Sequence, residues 1–122
     1  AWHALRSTQE IVGVKSVEEK AFDATELLPK VQTNCMSTAF GHIFQGGYSS
    51  GYYSYKWAEV LDADAFEYFK KEGIFNNVVA RKYKENILQK GGTVEPTKLY
   101  KQFRGNEPDP KALLKRAGLI SI

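Results

Sequence analysis

The sequence predicts an all-α fold, a helical bundle, and three observations support this class. No segment alternates apolar and polar residues as a half-buried strand does. Apolar residues instead recur three and four positions apart, as Val79, Tyr83 and Ile87 do. Glycine and proline stand where such segments would begin or end.

Length and composition limit the class of protein. With 122 residues the chain has the size of one domain, so residues 1–122 are predicted to form a single helical domain. The content of 43% hydrophobic and 25% charged residues is typical of a folded globular protein. No apolar run approaches the roughly 20 residues that cross a bilayer, so no membrane partner is expected. Basic and acidic residues are interspersed, with a net charge of +3, whereas nucleic-acid binders usually concentrate their basic residues on one face.

The first helix is predicted from a capping box. Ser16 and Glu19 have the spacing in which each side chain bonds the other's backbone amide, which predicts a helix from Ser16 to about Leu28. Pro29 disfavours a helical residue before it, so the helix should end or bend there. The connecting segment that follows is predicted to hold some extended structure around residues 40–44.

A second helix is predicted to begin near Ser49 or Ser50 and to run to about Glu72. Gly73 can serve as its C-cap, because glycine adopts the left-handed conformation in which helices commonly end. One face of this helix is apolar and is predicted to lie against the core. That face comprises Tyr53, Trp57, Val60, Leu61, Tyr68 and Phe69.

The other face of the same helix carries tyrosines. Tyr48, Tyr52 and Tyr55 fall at i, i+4 and i+7, and Glu59 continues the face. Their phenol hydroxyls would then point the same way. A hydroxyl aimed at a reacting carbonyl can donate a hydrogen bond to the negative charge that develops there.

Two further helices are predicted from local signals. The third should begin at Asn76 or Asn77 as the N-cap and stop at Gly91-Gly92. The fourth should follow Pro96, since proline is favoured in the first turn. Its apolar residues are Leu99, Tyr100 and Phe103.

The last helix is predicted to have Asp109 as its N-cap and Pro110 as its first residue, and to end at Gly118. Arg104 precedes the break at Gly105. It is predicted either to cap the end of the fourth helix or to pair with an acidic side chain, and a role in substrate binding is ranked below these.

The single cysteine and the two histidines offer little chemistry by themselves. Cys35 excludes an internal disulfide and fits a reducing compartment, so a cytoplasmic location is expected, and the side chain is predicted to be small and buried. His3, next to Trp2, is predicted to be structural. A common zinc site on a helix uses two histidines one turn apart, in the motif His-Glu-x-x-His. Neither His3 nor His42 begins that motif, so the chain is not expected to bind zinc.

The most unusual stretch of the sequence is rich in glycine and tyrosine. It reads Phe40-Gly41-His42-Ile43-Phe44-Gln45-Gly46-Gly47-Tyr48, followed by Gly51-Tyr52-Tyr53-Ser54-Tyr55 and Trp57-Ala58-Glu59-Val60. This motif resembles the C-terminal signature of the thimet oligopeptidase family of zinc metallopeptidases. With Phe103-Arg104-Gly105 and Gly118-Leu119 it is most similar to the bacterial peptidyl-dipeptidase (dipeptidyl carboxypeptidase) branch of that family.

The resemblance implies that the chain is the C-terminal part of a larger, mostly helical, zincin-type peptidase. The zinc would be bound by another part of that protein, so the chain alone is expected to be inactive. The implied partners are a peptide substrate and the rest of the catalytic domain. The intact enzyme is expected to release dipeptides from the C-termini of oligopeptides.

The resemblance also implies roles for six residues of the glycine- and tyrosine-rich stretch. Tyr55 corresponds to the tyrosine that hydrogen-bonds the tetrahedral oxyanion. The others correspond to residues that contact the substrate or assist in that stabilisation (His42, Tyr48), accommodate the substrate (Tyr52), or belong to the loop over the bound peptide (Gly46, Gly47).

Other functions stay open on sequence grounds. An oligopeptidase of the thimet or oligopeptidase A type is the second interpretation of the resemblance. A stand-alone helical module could use the same tyrosines to bind a peptide without a metal, and a nucleic-acid binder ranks lowest. A surface that meets the rest of a larger protein should be partly apolar, so self-association of the chain is also expected.

Overall fold

The computed structural model describes residues 1–121, and all regular structure in that range is helical. No strand occurs among those residues, so the all-α prediction is confirmed. The chain divides into two compact units, residues 1–53 and the segment from Ser54 onward. The assignment of residues 1–122 to a single domain stays a prediction. Within the described range, no helix has both the length and the apolar character needed to cross a membrane.

The first unit contains two α-helices, α1 (Val14–Phe22) and α2 (Met36–Ala39), with short 3-10 turns at Trp2–Ala4, Asp23–Thr25 and Gly41–Ile43. The expected extended structure around residues 40–44 is therefore wrong. Short helical turns occupy that segment instead, because local bonds from Phe40 N to Met36 O (2.8 Å) and from Phe44 N to Gly41 O (3.0 Å) fold it back on itself.

The capping box predicted at Ser16 and Glu19 is also wrong. Helix α1 begins two residues earlier, after Gly13, and Ser16 Oγ donates a hydrogen bond back to Gly13 O at 2.8 Å. The helix ends at Phe22 rather than near Leu28. Thr25 Oγ1 donates to Phe22 O at 3.2 Å in the 3-10 turn that follows, an example of a hydroxyl that competes for helical backbone groups.

Glu18 joins the two helices of the first unit. Its carboxylate accepts hydrogen bonds from the amides of Met36 (3.0 Å) and Ser37 (2.7 Å), at the N-terminus of α2. Helix N-termini favour a negative charge because their first amides have no helical partner. Hydrogen bonds from Ser37, and then from the amide of Met36, lower the pKa of Glu18 from 4.5 to about 2. Trp2 Nε1 donates to Ser37 Oγ at 2.9 Å, so the start of the chain is attached to the same helix.

The second unit begins with the longest helix, α3 (Ser54–Glu72), which ends as predicted before the left-handed Gly73 (φ 101°). Helix α4 (Asn77–Tyr83) has Asn76 as its N-cap, since Asn76 Oδ1 accepts from Val78 N (2.9 Å) and Val79 N (3.4 Å). A π-helical turn, Lys84–Leu88, continues α4, and Gln89 N donates to Lys84 O at 2.9 Å.

Two shorter helices complete this unit. Helix α5 (Pro96–Arg104) starts with Pro96 as expected, and Glu95 caps it by accepting from the amides of Thr97 (2.9 Å) and Lys98 (3.1 Å). It ends at Gly105, whose φ is 88°. Helix α6 (Lys111–Arg116) packs against α3. The N-cap is Pro110, so the prediction of Asp109 is wrong by one residue. Asp109 Oδ1 nonetheless accepts a hydrogen bond from Lys111 N at 2.9 Å.

The core of the second unit is largely aromatic. Phe103 is fully buried, and its ring contacts those of Tyr83 (centroids 5.1 Å apart) and Tyr68 (5.5 Å). Most predicted core residues of α3, α4 and α5 lie in or against this cluster: Leu61, Tyr68, Phe69, Val79, Tyr83, Ile87, Tyr100 and Phe103.

The core prediction is wrong for two residues at the start of the presumed helix. Tyr53 is 75% exposed because it precedes α3 rather than lying on it. Trp57 is half-exposed in the first turns of α3, whereas the residues of that helix that contact the core begin at Leu61.

A buried carboxylate links α3 to α5. Asp64 accepts hydrogen bonds from the Tyr100 hydroxyl (2.6 Å) and from Arg104 Nε (3.1 Å). The predicted pairing of Arg104 with an acidic side chain is therefore confirmed, and its guanidinium also lies 4.7 Å from the centre of the Tyr68 ring. Burial, and then the hydrogen bond to ionised Asp64, raise the pKa of the Tyr100 hydroxyl.

Candidate functional site

The glycine loop, residues 44–51, follows the 3-10 turn Gly41–Ile43 in the first unit. Three of its residues have left-handed backbones: Gly46 (φ 71°), Gly47 (φ 75°) and Ser50 (φ 55°). Backbone bonds from Tyr48 N to Gln45 O (3.4 Å) and from Gly51 N to Tyr48 O (2.8 Å) close two successive turns. A left-handed serine costs roughly 1–2 kcal/mol, so contacts elsewhere in the first unit must hold this conformation.

Four rings form an aromatic cluster beside this loop: Phe40, His42, Tyr48 and Tyr52. The ring centroid of His42 lies 5.0 Å from that of Tyr48 and 5.7 Å from that of Tyr52. Tyr52 lies 5.4 Å from Tyr48 and contacts Phe40 edge-on at 4.5 Å. His42 and Tyr52 are exposed and Tyr48 is partly buried, so the cluster presents an imidazole and phenol rings at the surface. Such rings offer apolar faces and hydrogen-bonding groups together.

Gly46 lies directly under the histidine of this cluster. A Cβ atom at Gly46 would be 3.2 Å from His42 Cδ2 and 3.5 Å from Tyr48 Cδ2, whereas one at Gly47 would meet no atom within 4 Å. Both glycines have positive φ, so any side chain would strain the backbone at either position. Of the two, only Gly46 would also bring a Cβ atom into close contact with the rings of the cluster.

Three predicted site residues, His42, Tyr48 and Tyr52, contact one another, but the local structure that positions them differs from the predicted helix. The expectation that Tyr48 and Tyr52 stand on a helix beginning near Ser49 or Ser50 is wrong, because α3 starts at Ser54. The left-handed backbone of Ser50 is incompatible with a right-handed helix at that point. The turns of the glycine loop nonetheless place Tyr48, Tyr52 and His42 in mutual ring contact.

Tyr55 is the second residue of α3 and so belongs to the second unit, where its side chain is about half exposed. Its predicted role stays a prediction, as do the roles of the residues in the aromatic cluster. Cys35, predicted to be buried, is only partly so, and its thiol lies 3.6 Å from a carboxylate oxygen of Glu18.

His3 is the residue of this region that the sequence did not single out for function. Its Nε2 atom lies 2.7 Å from Ile43 O and 3.3 Å from Ser50 N, and its ring contacts Phe44 with centroids 5.1 Å apart. These partners are 40 and 47 positions away, so no local pattern could have indicated the contacts.

The described residues do not form a metal centre. Among residues 1–121, no three or more histidine, cysteine, aspartate or glutamate side chains are grouped so that they could hold a metal ion. Within that range, no set of side chains is arranged to fit a zinc ion. What the aromatic cluster offers is hydrogen bonding and ring contact.

Comparison with known proteins assigns the family. The model of peptidase family M3 matches residues 1–119. The chain belongs to peptidase family M3. The family predicted from the glycine- and tyrosine-rich motif is thereby confirmed.

The relatives of this M3 chain include oligopeptidases A and dipeptidyl carboxypeptidases. Oligopeptidase A of Escherichia coli (strain K12) is 54% identical over 81 residues, which are 66% of this chain and 12% of that protein. Oligopeptidase A of Haemophilus influenzae is 52% identical over 83 residues, 68% of this chain and 12% of that protein. Dipeptidyl carboxypeptidase of Escherichia coli (strain K12) is 33% identical over 119 residues, 97% of this chain and 18% of that protein. The chain thus spans 12% to 18% of the length of these relatives.

Proposed function

We propose that this M3 chain is the substrate-binding and transition-state-stabilising part of a zinc metallopeptidase that cleaves oligopeptides. The aromatic cluster on a left-handed glycine loop is the observation that carries the proposal. The cluster could contact an extended peptide through its ring faces and its hydrogen-bonding side chains. The glycines beside it have no Cβ atoms, so the backbone of a peptide can approach closely. Membership of the M3 family makes a peptide the appropriate ligand.

The proposed roles are those that the resemblance to the thimet oligopeptidase family implies, and the chemistry of each group is compatible with its role. Tyr48 and Tyr52 bind the peptide through their rings and hydroxyls, and His42 contacts it or donates a hydrogen bond to it. The backbone of Gly46 and Gly47 lies along the peptide. The metal ion would be held by residues that this sequence does not include, since it lacks a His-Glu-x-x-His motif.

Tyr55 is proposed to stabilise the transition state. A tyrosine hydroxyl is a neutral donor, so it can hydrogen-bond an oxyanion without first losing or gaining a proton. The benefit is specific to the transition state, because the oxygen of the tetrahedral species carries more negative charge than that of the ground-state carbonyl.

Replacing Tyr55 with phenylalanine in the full-length peptidase tests this proposal. We expect kcat to fall by a factor of about 10²–10³, with zinc content unchanged, because the substitution removes a hydrogen-bond donor and no metal ligand. Tyr53→Phe is the matched control: it deletes the same group from a neighbouring side chain that is 75% exposed. An unchanged kcat in Tyr55→Phe, or an equal loss in Tyr53→Phe, contradicts the assigned role.

Two modes of cleavage are proposed, each supported by a different comparison. Release of dipeptides from C-termini is supported by the match to dipeptidyl carboxypeptidases, which extends over 97% of the chain. Cleavage of the oligopeptidase A kind is supported by the higher identity, 52–54%, over a shorter stretch. Digestion of one peptide with a free or an amidated C-terminus distinguishes them by the masses of the products. If dipeptides form only from the peptide with the free C-terminus, the first mode is supported. If both peptides are cut internally, the second mode is supported.

We also propose that the rest of the catalytic domain covers apolar side chains exposed here. Val12, Leu27 and Phe75 are each almost fully exposed, which is unusual for large apolar residues on the surface of a complete globular domain. Alone, the chain should therefore self-associate. Sedimentation at increasing concentration measures this, and a single monomeric species at high concentration would argue against an exposed interface.

A further inference from the structure

One histidine side chain contacts the backbone at both ends of the glycine loop. His3 Nε2 lies 2.7 Å from the carbonyl oxygen of Ile43, where the loop starts, and 3.3 Å from the amide nitrogen of Ser50, near its end. Ile43 directly follows His42, and Ser50 is two residues beyond Tyr48. The two backbone atoms that His3 reaches thus lie on either side of Tyr48 in the sequence, and the first belongs to the residue next to His42.

The two contacts require different forms of the imidazole. A protonated Nε2 donates to Ile43 O and cannot accept from Ser50 N, whereas an unprotonated Nε2 accepts from Ser50 N and cannot donate to Ile43 O. The shorter distance is the one to Ile43 O. The geometry therefore favours a ring with its proton on Nε2, in which the Ile43 carbonyl is the principal partner and the Ser50 amide lies beside it.

We propose that His3 is a positioning residue for the glycine loop. By holding the Ile43 carbonyl, and through the contact of its ring with Phe44, it fixes the start of the loop and so the placement of His42 against Tyr48. It acts through the backbone and need not touch the peptide. The effect of His3 on catalysis rests on the proposed function, but its effect on loop order does not.

The surroundings of His3 make this role separable from general stability. The side chain is exposed, so its removal leaves no cavity in a core. The neighbouring Trp2 is attached separately, through Nε1 to Ser37 Oγ at 2.9 Å, so the start of the chain stays in place when His3 is replaced. The loop needs such support because Ser50, which has a Cβ atom, adopts an unfavourable left-handed backbone.

Amide hydrogen exchange in the 122-residue chain tests the proposal in three variants. His3→Ala removes the ring, His3→Phe keeps a ring against Phe44 without the nitrogen, and His3→Gln restores an amide donor at a similar reach. We expect the amides of Tyr48 and Gly51, which close the two loop turns, to exchange roughly tenfold faster in His3→Ala and His3→Phe. Exchange in His3→Gln should return towards the native rate.

Two further measurements decide between positioning and a merely structural role. A long-range ¹H–¹⁵N spectrum of the native chain should show the His3 proton on Nε2, and a proton only on Nδ1 would overturn the proposal. In the full-length peptidase, His3→Ala should raise KM more than it lowers kcat, with recovery in His3→Gln. If His3→Ala fails to fold, the same measurements on His3→Phe test the positioning role.

The outcomes separate this proposal from the proposed function. If the amide exchange rates of Tyr48 and Gly51 are unchanged in His3→Phe, the positioning role of His3 is refuted, even if the enzyme cleaves peptides as proposed. Faster exchange in His3→Phe that His3→Gln reverses supports the role of His3, even if the full-length protein hydrolyses no peptide, which would refute the proposed function alone.

Discussion

Replacing Arg104 with methionine should lower the free energy of unfolding of the chain by about 3 kcal/mol. The guanidinium pairs with Asp64, whose side chain is 3% exposed against 20% for Arg104. Removing one partner of a buried ion pair leaves an uncompensated charge and typically costs about 3–5 kcal/mol. We place the loss at the lower end because Arg104 is partly solvated and the Tyr100 hydroxyl still donates to Asp64 at 2.6 Å.

Urea unfolding followed by far-ultraviolet circular dichroism measures the loss, and Arg116→Met is the matched control. Arg116 pairs with Asp62 in the same unit, but their side chains are 46% and 69% exposed, so this pair should contribute about 0–1 kcal/mol. Equal losses in the two variants would refute the argument from burial. In an Asp64→Asn background the Arg104 substitution should cost less, since the buried charge is then absent.

Three further results are expected. The pKa of Glu18 in the folded chain is about 2, below the ordinary 4.5. Its hydrogen bonds should therefore stabilise the fold fully above about pH 4.5, and this contribution should be lost as the pH falls towards 2. An NMR titration midpoint of Glu18 near pH 4.5 would contradict this. Gly46→Ala should shift the NMR signals of the cluster histidine and raise KM of the full-length enzyme, whereas Gly47→Ala should impose only the backbone cost of about 1–2 kcal/mol. Asn76→Ala should cost about 1 kcal/mol in urea unfolding and Asn77→Ala much less, since Asn76 caps α4, and equal costs would exclude that cap.

Local rules predicted the second unit well. Asn76, Gly73, Pro96 and Gly105 each act within one helical turn of their own position, so the sequence contains all the information that sets those helix ends. The apolar spacing of α4 and α5 likewise depends only on helix geometry, and it identified Phe103 and its neighbours correctly.

The features that the sequence missed depend on contacts between distant residues. The sequence predicted an acidic partner as one option for Arg104 but did not identify Asp64, which lies 40 positions away, because a charged residue in mid-helix usually indicates a solvated face. Glu18 reaches the amides of α2 18 and 19 positions away, which no capping rule anticipates. The capping box at Ser16 failed for a local reason, because Ser16 Oγ donates to Gly13 O and the helix already begins after Gly13.

The candidate site shows both situations. Its motif identified the stretch and its family, because several uncommon residues occur there at fixed spacing. The helical placement of Tyr48 and Tyr52 failed since one serine, Ser50, adopts a left-handed backbone that its residue type does not favour. His3 was not identified because its partners are more than 39 residues away.

The π-helical turn Lys84–Leu88 also limits how the length of this segment can change. A π turn closes over one residue more than an α-helical turn, so it accommodates an added residue locally. Deleting one residue within it should therefore restore a regular α-helix without rotating the segments on either side. Deleting one residue from the regular α-helical turns of α4 would instead rotate everything beyond by about 100°, because successive residues of an α-helix are that far apart.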